Sequence, residues 1–153
     1  MEKKPVAMIT GASRGLGREV ARAFAREGHS LAICARGREA LAETAAELEQ
    51  AGARVLAVEA DVAVPRDVER FVALAETEFD RIDVLINNAS ILGPSPMPYL
   101  LDFPEADFLD VLKANTWGPF LVTRRVIAGM LAGIGDPSDV RGGPGGLCRL
   151  GGL

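Results

Sequence analysis

Three glycines with the spacing Gly-x-x-x-Gly-x-Gly stand in Thr10-Gly11-Ala12-Ser13-Arg14-Gly15-Leu16-Gly17, between a short apolar run and a helical pattern. In a parallel sheet that junction is where phosphate-binding turns lie. Gly11 lets the chain turn sharply, Gly15 lets backbone approach a pyrophosphate, and Gly17 lets helix and strand pack closely. Free N–H groups at the helix start offer donors to an anion. No Lys-Ser/Thr pair follows, so this is not the loop of a nucleoside triphosphatase. A glycine triplet alone leaves open the lesser alternative of a tight turn that binds nothing. Two cations flank it: Arg14 inside the loop, and Arg36 immediately after the second apolar run. At Arg36 an acidic residue would hydrogen-bond a ribose 2′-hydroxyl, whereas a guanidinium can grip a 2′-phosphate with charge-assisted bonds. The plain alternative is two solvated arginines.

Further along, Asp61 follows the third apolar run, and Asn87-Asn88 follows the fourth. Each fits a turn cap at a strand end as well as a ligand contact. Asn115 sits in a helical pattern, where its amide competes for backbone hydrogen bonds, so a local reason for it is expected. Tyr99 is four residues from Phe103 and reads as a loop residue, His29 as a surface residue and Trp117 as packing. With one His, and with Cys34 in an apolar run and Cys148 in a Gly-rich tail, neither a zinc site nor a structural disulfide is expected.

The elements that must hold these residues repeat in order. Val6 to Thr10 is an apolar run, followed by helical spacing at Leu16, Val20, Ala23 and Phe24. Ser30 to Ala35 is the second run, followed by Leu41, Thr44, Ala45 and Leu48 on one helical face. Val55 to Val58 is the third, followed by Val68, Phe71, Val72 and Ala75 behind Pro65, and Val84 to Ile86 is the fourth. Continuous apolar strands alternating with helices predict an α/β fold, a Rossmann-like doubly wound parallel sheet covered on both faces. A Pro-rich connection then leads to a helix from about Pro104 to Asn115, continuing to Met130 with a bend at Gly118-Pro119. From Gly133 to Leu153 eight glycines and no apolar period leave no assignable element.

A chain of 153 residues, 48% apolar, suits one domain. Its net charge of −4 offers no basic face for nucleic acid. No apolar run reaches membrane length and no signal-peptide pattern opens the chain, so a cytoplasmic metabolic protein with no membrane partner is expected.

Taken together, these motifs resemble the short-chain dehydrogenase/reductase family. Its Thr-Gly-x-x-x-Gly-x-Gly is matched from Thr10 to Gly17, its Asp-Val after the third strand by Asp61-Val62, and its Asn-Asn-Ala-Gly by Asn87-Asn88-Ala89-Ser90, with Ser90 in place of Gly. Asn115 matches the Asn of the following long helix, and the resemblance covers about Pro5 to Met130. It implies an NAD(P)-dependent oxidoreductase that transfers hydride between a dinucleotide and a small carbonyl or alcohol substrate, and a homo-oligomer. It also implies a cofactor site of Gly11, Ser13, Arg14, Gly15, Leu16, Gly17, Arg36, Asp61, Val62, Asn88, Ala89 and Ser90, with Asp61 beside the adenine amino group and Asn88 to Ser90 along the nicotinamide ribose. NADP is preferred over NAD, because the family reads that choice at Arg14 and Arg36. Asn115 would be catalytic, holding a water that links a catalytic Lys to solvent.

The family also uses a Ser, a Tyr and a Lys, since a Tyr with an ordinary pKa near 10 needs a neighbouring cation to exchange protons near neutrality. Neither a Ser-Ser strand end nor Tyr-x-x-x-Lys follows Met130, and the last Lys is Lys113. The expectation is a dinucleotide-binding domain over residues 1–132, cut off after about the fourth strand and the following helix, with an irregular tail over 133–153. Two readings stay open: a reductase whose chain has lost its activity by truncation, or a non-catalytic dinucleotide-binding protein, such as a partner of a full-length homologue.

The tail itself reads as out of frame. Arginine-rich composition suggests GC-rich codons, and with Gly146 to Leu153 written as GGC CTA TGC CGG CTG GGG GGC CTA a one-base shift reads Ala-Tyr-Ala-Gly-Trp-Gly-Ala and then a codon beginning TA that can be a second Tyr, each Tyr requiring a particular wobble base. Sequencing the coding DNA beyond the stop is expected to show a Lys codon four residues after that second Tyr; stops in every frame would refute the frameshift.

Overall fold

The computed structural model describes residues 4–133. Four parallel strands, β1 (Val6–Thr10), β2 (Ser30–Ala35), β3 (Val55–Glu59) and β4 (Val84–Ile86), form one sheet in the order β3-β2-β1-β4. Helices α1 (Gly15–Arg26), α2 (Arg38–Gln50) and α3 (Pro65–Phe79) connect them. After β4 come a 3-10 turn (Leu100–Asp102), α4 (Glu105–Leu112), a π turn (Lys113–Trp117) and α5 (Gly118–Gly133). The expected doubly wound parallel sheet is what the chain forms.

Every residue of β1 and β2 is buried, which is why both read as unbroken apolar runs. The pleat divides them between two cores. Val6, Met8, Ala32 and Cys34 join Phe71, Val72 and Ala75 of α3 and Val122 and Val126 of α5 on one face. Ala7, Ile9, Leu31 and Ile33 join Ala21 of α1 and Leu41 and Leu48 of α2 on the other. One departure concerns α1. Leu16, grouped by its spacing with the apolar face, is 72% exposed, and Ala23 is exposed too. The face that packs uses Gly17 and Ala21, because helix and strand approach closely only where side chains are small.

The bend expected at Gly118-Pro119 is instead a π turn over Lys113–Trp117, ending just before Gly118, which opens α5. Trp117 stacks on Phe120 with ring centroids 5.4 Å apart. Tyr99 is 85% exposed ahead of the 3-10 turn, as a loop residue should be. His29 differs from the surface reading: it is half-buried, edge-on to Phe24 at the sheet end remote from the glycine turn. Gly133, placed at the head of the Gly-rich tail by its sequence, instead ends α5, and the rest of that tail lies outside the described residues, among which no helix is long and apolar enough to cross a membrane.

Ion pairs tie the helices together. Arg125 of α5 bridges Glu69 and Glu76 of α3 at 2.8–2.9 Å, and Glu47 of α2 accepts from Arg22 and, at 2.6 Å, from Arg18 of α1. Hydrogen bonds from Arg22 and then Arg18 hold the Glu47 carboxyl down at about 2. Because this folded-state value lies below the unfolded one, the pair's contribution is complete above the ordinary carboxylate range and is lost as pH falls from there through the folded value. Melting Glu47→Gln against the parent should therefore show a lower Tm for the variant near neutrality and a gap that closes between about pH 5 and pH 2; a pH-independent gap would contradict the assignment.

Candidate functional site

β1 connects leftward to β2 and β3 while β4 lies on its other side, so the chain reverses direction across the sheet at the carboxyl ends of β1 and β4. A crevice necessarily opens there. It is a cleft of about 580 Å³ with the glycine turn as its floor.

Gly11 takes φ +69°, and a Cβ on it would lie 2.7 Å from the Ala89 Cα, so neither its conformation nor its surroundings admit a side chain. A Cβ on Gly17 would stand 2.2 Å from the Gly11 carbonyl oxygen and 2.4 Å from Asn88 Nδ2. Gly15 has open space in front of it, on the cleft wall. The N–H groups of Gly11 and Ala12 both donate to the Cys34 carbonyl, at 2.8 and 3.1 Å, which pins the turn to the end of β2. Thr44 Oγ1 of α2 donates to the Ser13 carbonyl at 3.2 Å.

Across the crevice, Asn88 Nδ2 donates to the carbonyls of Thr10 and Gly11 at 3.1 and 3.0 Å, using both its hydrogens. The buried Thr10 hydroxyl accepts from the N–H groups of Asn88 and Ala89, each at 3.1 Å. Asn87 points elsewhere, donating to Thr123 Oγ1 of α5 at 3.0 Å. Of the paired asparagines, Asn88 alone serves the cleft.

All twelve residues proposed from the sequence for the cofactor line this one cleft: the glycine loop with Ser13, Arg14 and Leu16, then Arg36, Asp61, Val62, Asn88, Ala89 and Ser90. Asp61 Oδ1 also accepts the Ala63 N–H at 2.9 Å, so its turn-capping role holds as well. Asn115 stands just outside. Its Oδ1 accepts the Ile91 N–H at 2.9 Å and its Nδ2 donates to the Ile91 carbonyl at 2.8 Å, so the residue clamps the π turn to the loop after β4. That is the local reason for an Asn in this helix. Ile91 and Ala114, the residues on either side of the clamp, do line the cleft.

Sequence reasoning did not single out Cys34, Ala35, Gly37, Ala40 and Ala60, which complete the walls. Being small or apolar, they carry no chemical signal of their own; only adjacency to Arg36 and Asp61 could have suggested them. Burial pushes the Cys34 thiol up to about 12, which keeps it neutral and unreactive. Among the described residues no group of three or more His, Cys, Asp or Glu is placed to hold a metal.

An open parallel sheet with a glycine turn and a helix N-terminus at its switch point defines the nucleotide-binding class of doubly wound α/β folds. Within that class, a family model for short chain dehydrogenases matches residues 5–136, and the chain belongs to this family. It is 42% identical over 128 residues to the 1-deoxy-11-beta-hydroxypentalenate dehydrogenase of Streptomyces arenae, covering 82% of this chain and 44% of that one. It is 41% identical over 127 residues to the 2-(R)-hydroxypropyl-CoM dehydrogenase of Xanthobacter autotrophicus, covering 82% and 51%. The F189W actinorhodin polyketide ketoreductase with NADPH superposes with a TM-score of 0.79 at 36% identity, over 84% of this chain and 49% of that one. NAD+-bound xylitol dehydrogenase superposes at 0.80 and 30% identity, over 87% and 51%. The chain thus spans about half the length of these relatives.

Replacing Thr10 by Val leaves two backbone N–H groups without their acceptor, at about 1–3 kcal/mol each when buried. Thr10→Val is expected to lower stability by about 2–4 kcal/mol in urea melts, and Thr10→Ser to recover most of it; equal loss in both would mean that the methyl group, not the hydroxyl, matters.

Proposed function

We propose that this chain supplies the dinucleotide-binding part of a short-chain oxidoreductase acting on a carbonyl or secondary alcohol, and that it takes NADP in preference to NAD. The observation that carries this reading is a cleft at the switch point whose floor is glycine backbone and whose rim bears Arg14 and Arg36, neither on a carboxylate among the described residues. When bound, a nicotinamide dinucleotide provides the hydride acceptor or donor. The residues of the chain would do the rest. The N–H groups at the start of α1 suit a pyrophosphate, which the positive end of the helix dipole also favours. Arg14 and Arg36 suit a 2′-phosphate, with planar donors that match its oxygens. Asp61 and Val62 suit the adenine, and Asn88, Ala89 and Ser90 suit the nicotinamide ribose. Asn115 would act through its clamp on Ile91, keeping the floor of the reacting end in place. Since both its amide atoms are used there, holding a relay water falls to its spare lone pairs or its main chain.

Moving the proton that accompanies hydride needs a hydroxyl and a neighbouring cation at the cleft. Tyr99 is exposed on the loop before α4, and Lys113 pairs with Asp110 at 3.2 Å; neither lines the cleft. We therefore read these 153 residues as competent to bind the cofactor and not, by themselves, to turn it over. The same observation supports the second reading, a dinucleotide-binding partner for a chain that carries the proton relay.

Titrating the full chain with NADPH and NADH is expected to show NADPH bound about tenfold more tightly or better, the range of a charge-assisted bond. Arg36→Asp should reverse the order, and carbonyl substrates should leave bound NADPH unoxidised. Equal affinities would overturn the role of Arg36, and steady turnover would overturn the assignment of the proton relay.

A further inference from the structure

The turn that carries Asp61 lacks the usual device for holding a helix start. α3 opens at Pro65, and the residue at its N-cap, Val64, has no side-chain oxygen to offer. Asp67, one turn into the helix, reaches back instead. Its Oδ2 accepts the Asp61 N–H at 3.0 Å, while Oδ1 lies 3.5 Å from Arg70 Nη2. Arg70 Nη2 in turn donates to the Glu59 carbonyl at 2.6 Å, at the last residue of β3. The strand end, the turn and the helix start are thus closed into one bracket. Asp61 spends Oδ1 on the Ala63 N–H, and no hydrogen bond within the described residues uses its Oδ2. These side chains also wall a second hollow of about 510 Å³ that meets the main cleft at Arg36, Ala60 and Asp61.

We infer that Asp67, held by Arg70, is the positioning residue that presents the Asp61 carboxylate to the amino group of an adenine. A carboxylate is an acceptor only, so it discriminates for a base edge that carries a donor and against one that carries a carbonyl. Discrimination of that kind depends on orientation, since a carboxylate free to swing away recovers its hydrogen bonds from water. Asp67 supplies the orientation through the Asp61 N–H, without touching the base. The inference rests on the dinucleotide reading of the cleft.

The test compares NADPH with its hypoxanthine analogue, in which the amino group is replaced by a carbonyl oxygen, titrated against the full chain. The parent should prefer the adenine form. Asp67→Ala should shrink that preference by about tenfold or more, the scale of one hydrogen bond to a charged group. Asp67→Asn, whose amide oxygen can still accept from the Asp61 N–H, should keep it, and binding of reduced nicotinamide mononucleotide should be the same in all three. Arg70→Ala should give a smaller loss in the same direction, and decides the matter if Asp67→Ala does not fold. A purely structural role would weaken all ligands together and leave the ratio intact, and an intact ratio in Asp67→Ala or Arg70→Ala overturns the inference. Loss of the ratio in Asp67→Asn overturns the hydrogen-bond basis. A parent that binds both dinucleotides equally refutes the inference alone, whereas one that binds neither refutes the proposed function beneath it.

Discussion

At the switch point two neighbouring strands must part, and backbone groups that would have paired along the ladder lose their partners. β1 and β4 pair from Ala7 to Ile9 against Val84 to Ile86 and no further. Beyond that, the N–H groups of Asn88 and Ala89 donate to the Thr10 hydroxyl, and the carbonyls of Thr10 and Gly11 accept from the Asn88 amide. This four-bond lacing replaces the ladder with side chains, at a place where leaving such groups buried and unpaired would cost about 1–3 kcal/mol apiece. It lets the strands diverge enough to open a cleft while keeping them one rigid body. Gly11 and Gly17 have their required size because the lacing is tight: the Ala89 backbone stands where a side chain on Gly11 would go, and the Gly11 carbonyl and the Asn88 amide stand where one on Gly17 would go.

Around that lacing, charge is distributed unevenly. Arg18, Arg22, Arg54 and Arg125 each sit on a carboxylate and tie one segment to another, while Arg81 pairs with Asp83 within the loop before β4. Among the described residues Arg14 and Arg36 sit on no carboxylate, and they stand on the cleft rim beside the N-terminus of α1, where the helix dipole adds to their charge. Carboxylates near the cleft are tied into turns, Asp61 on the Ala63 N–H and Asp67 on the Asp61 N–H. Their charge is thereby partly satisfied by backbone donors, which limits its repulsion of a phosphate on the rim.

Much of this was legible in residue order. Thr10 to Gly17 gave the turn its place and its glycine spacing, and the apolar runs from Val6, Ser30, Val55 and Val84 fell where strands formed, because strands covered on both faces admit little but apolar residues. Other features could not be read that way. Leu16 fits a helical apolar period yet faces the cleft, since periodicity reports which residues share a side and not which side packs. Asn87 and Asn88 are chemically identical neighbours, and the alternation of side chains past the end of β4 sends one to α5 and the other to the glycine turn. Asn115 announced itself as a misfit in a helix, but its partner, the backbone of Ile91, has no side-chain signature at all.

What the sequence by itself determined is therefore the class of fold, the order of its strands and helices and the inventory of groups for the cleft, because these follow from local spacing and from the chemical type of each residue. Tertiary structure alone decided that Thr10 and Asn88 complete one another, that Val62 packs against the α5 start where Gly118 leaves room for it, and that Asp67 reaches back to Asp61. Those relations join different elements, or the two ends of a turn. Their distances are set by how layers pack, a quantity that no short window of sequence contains.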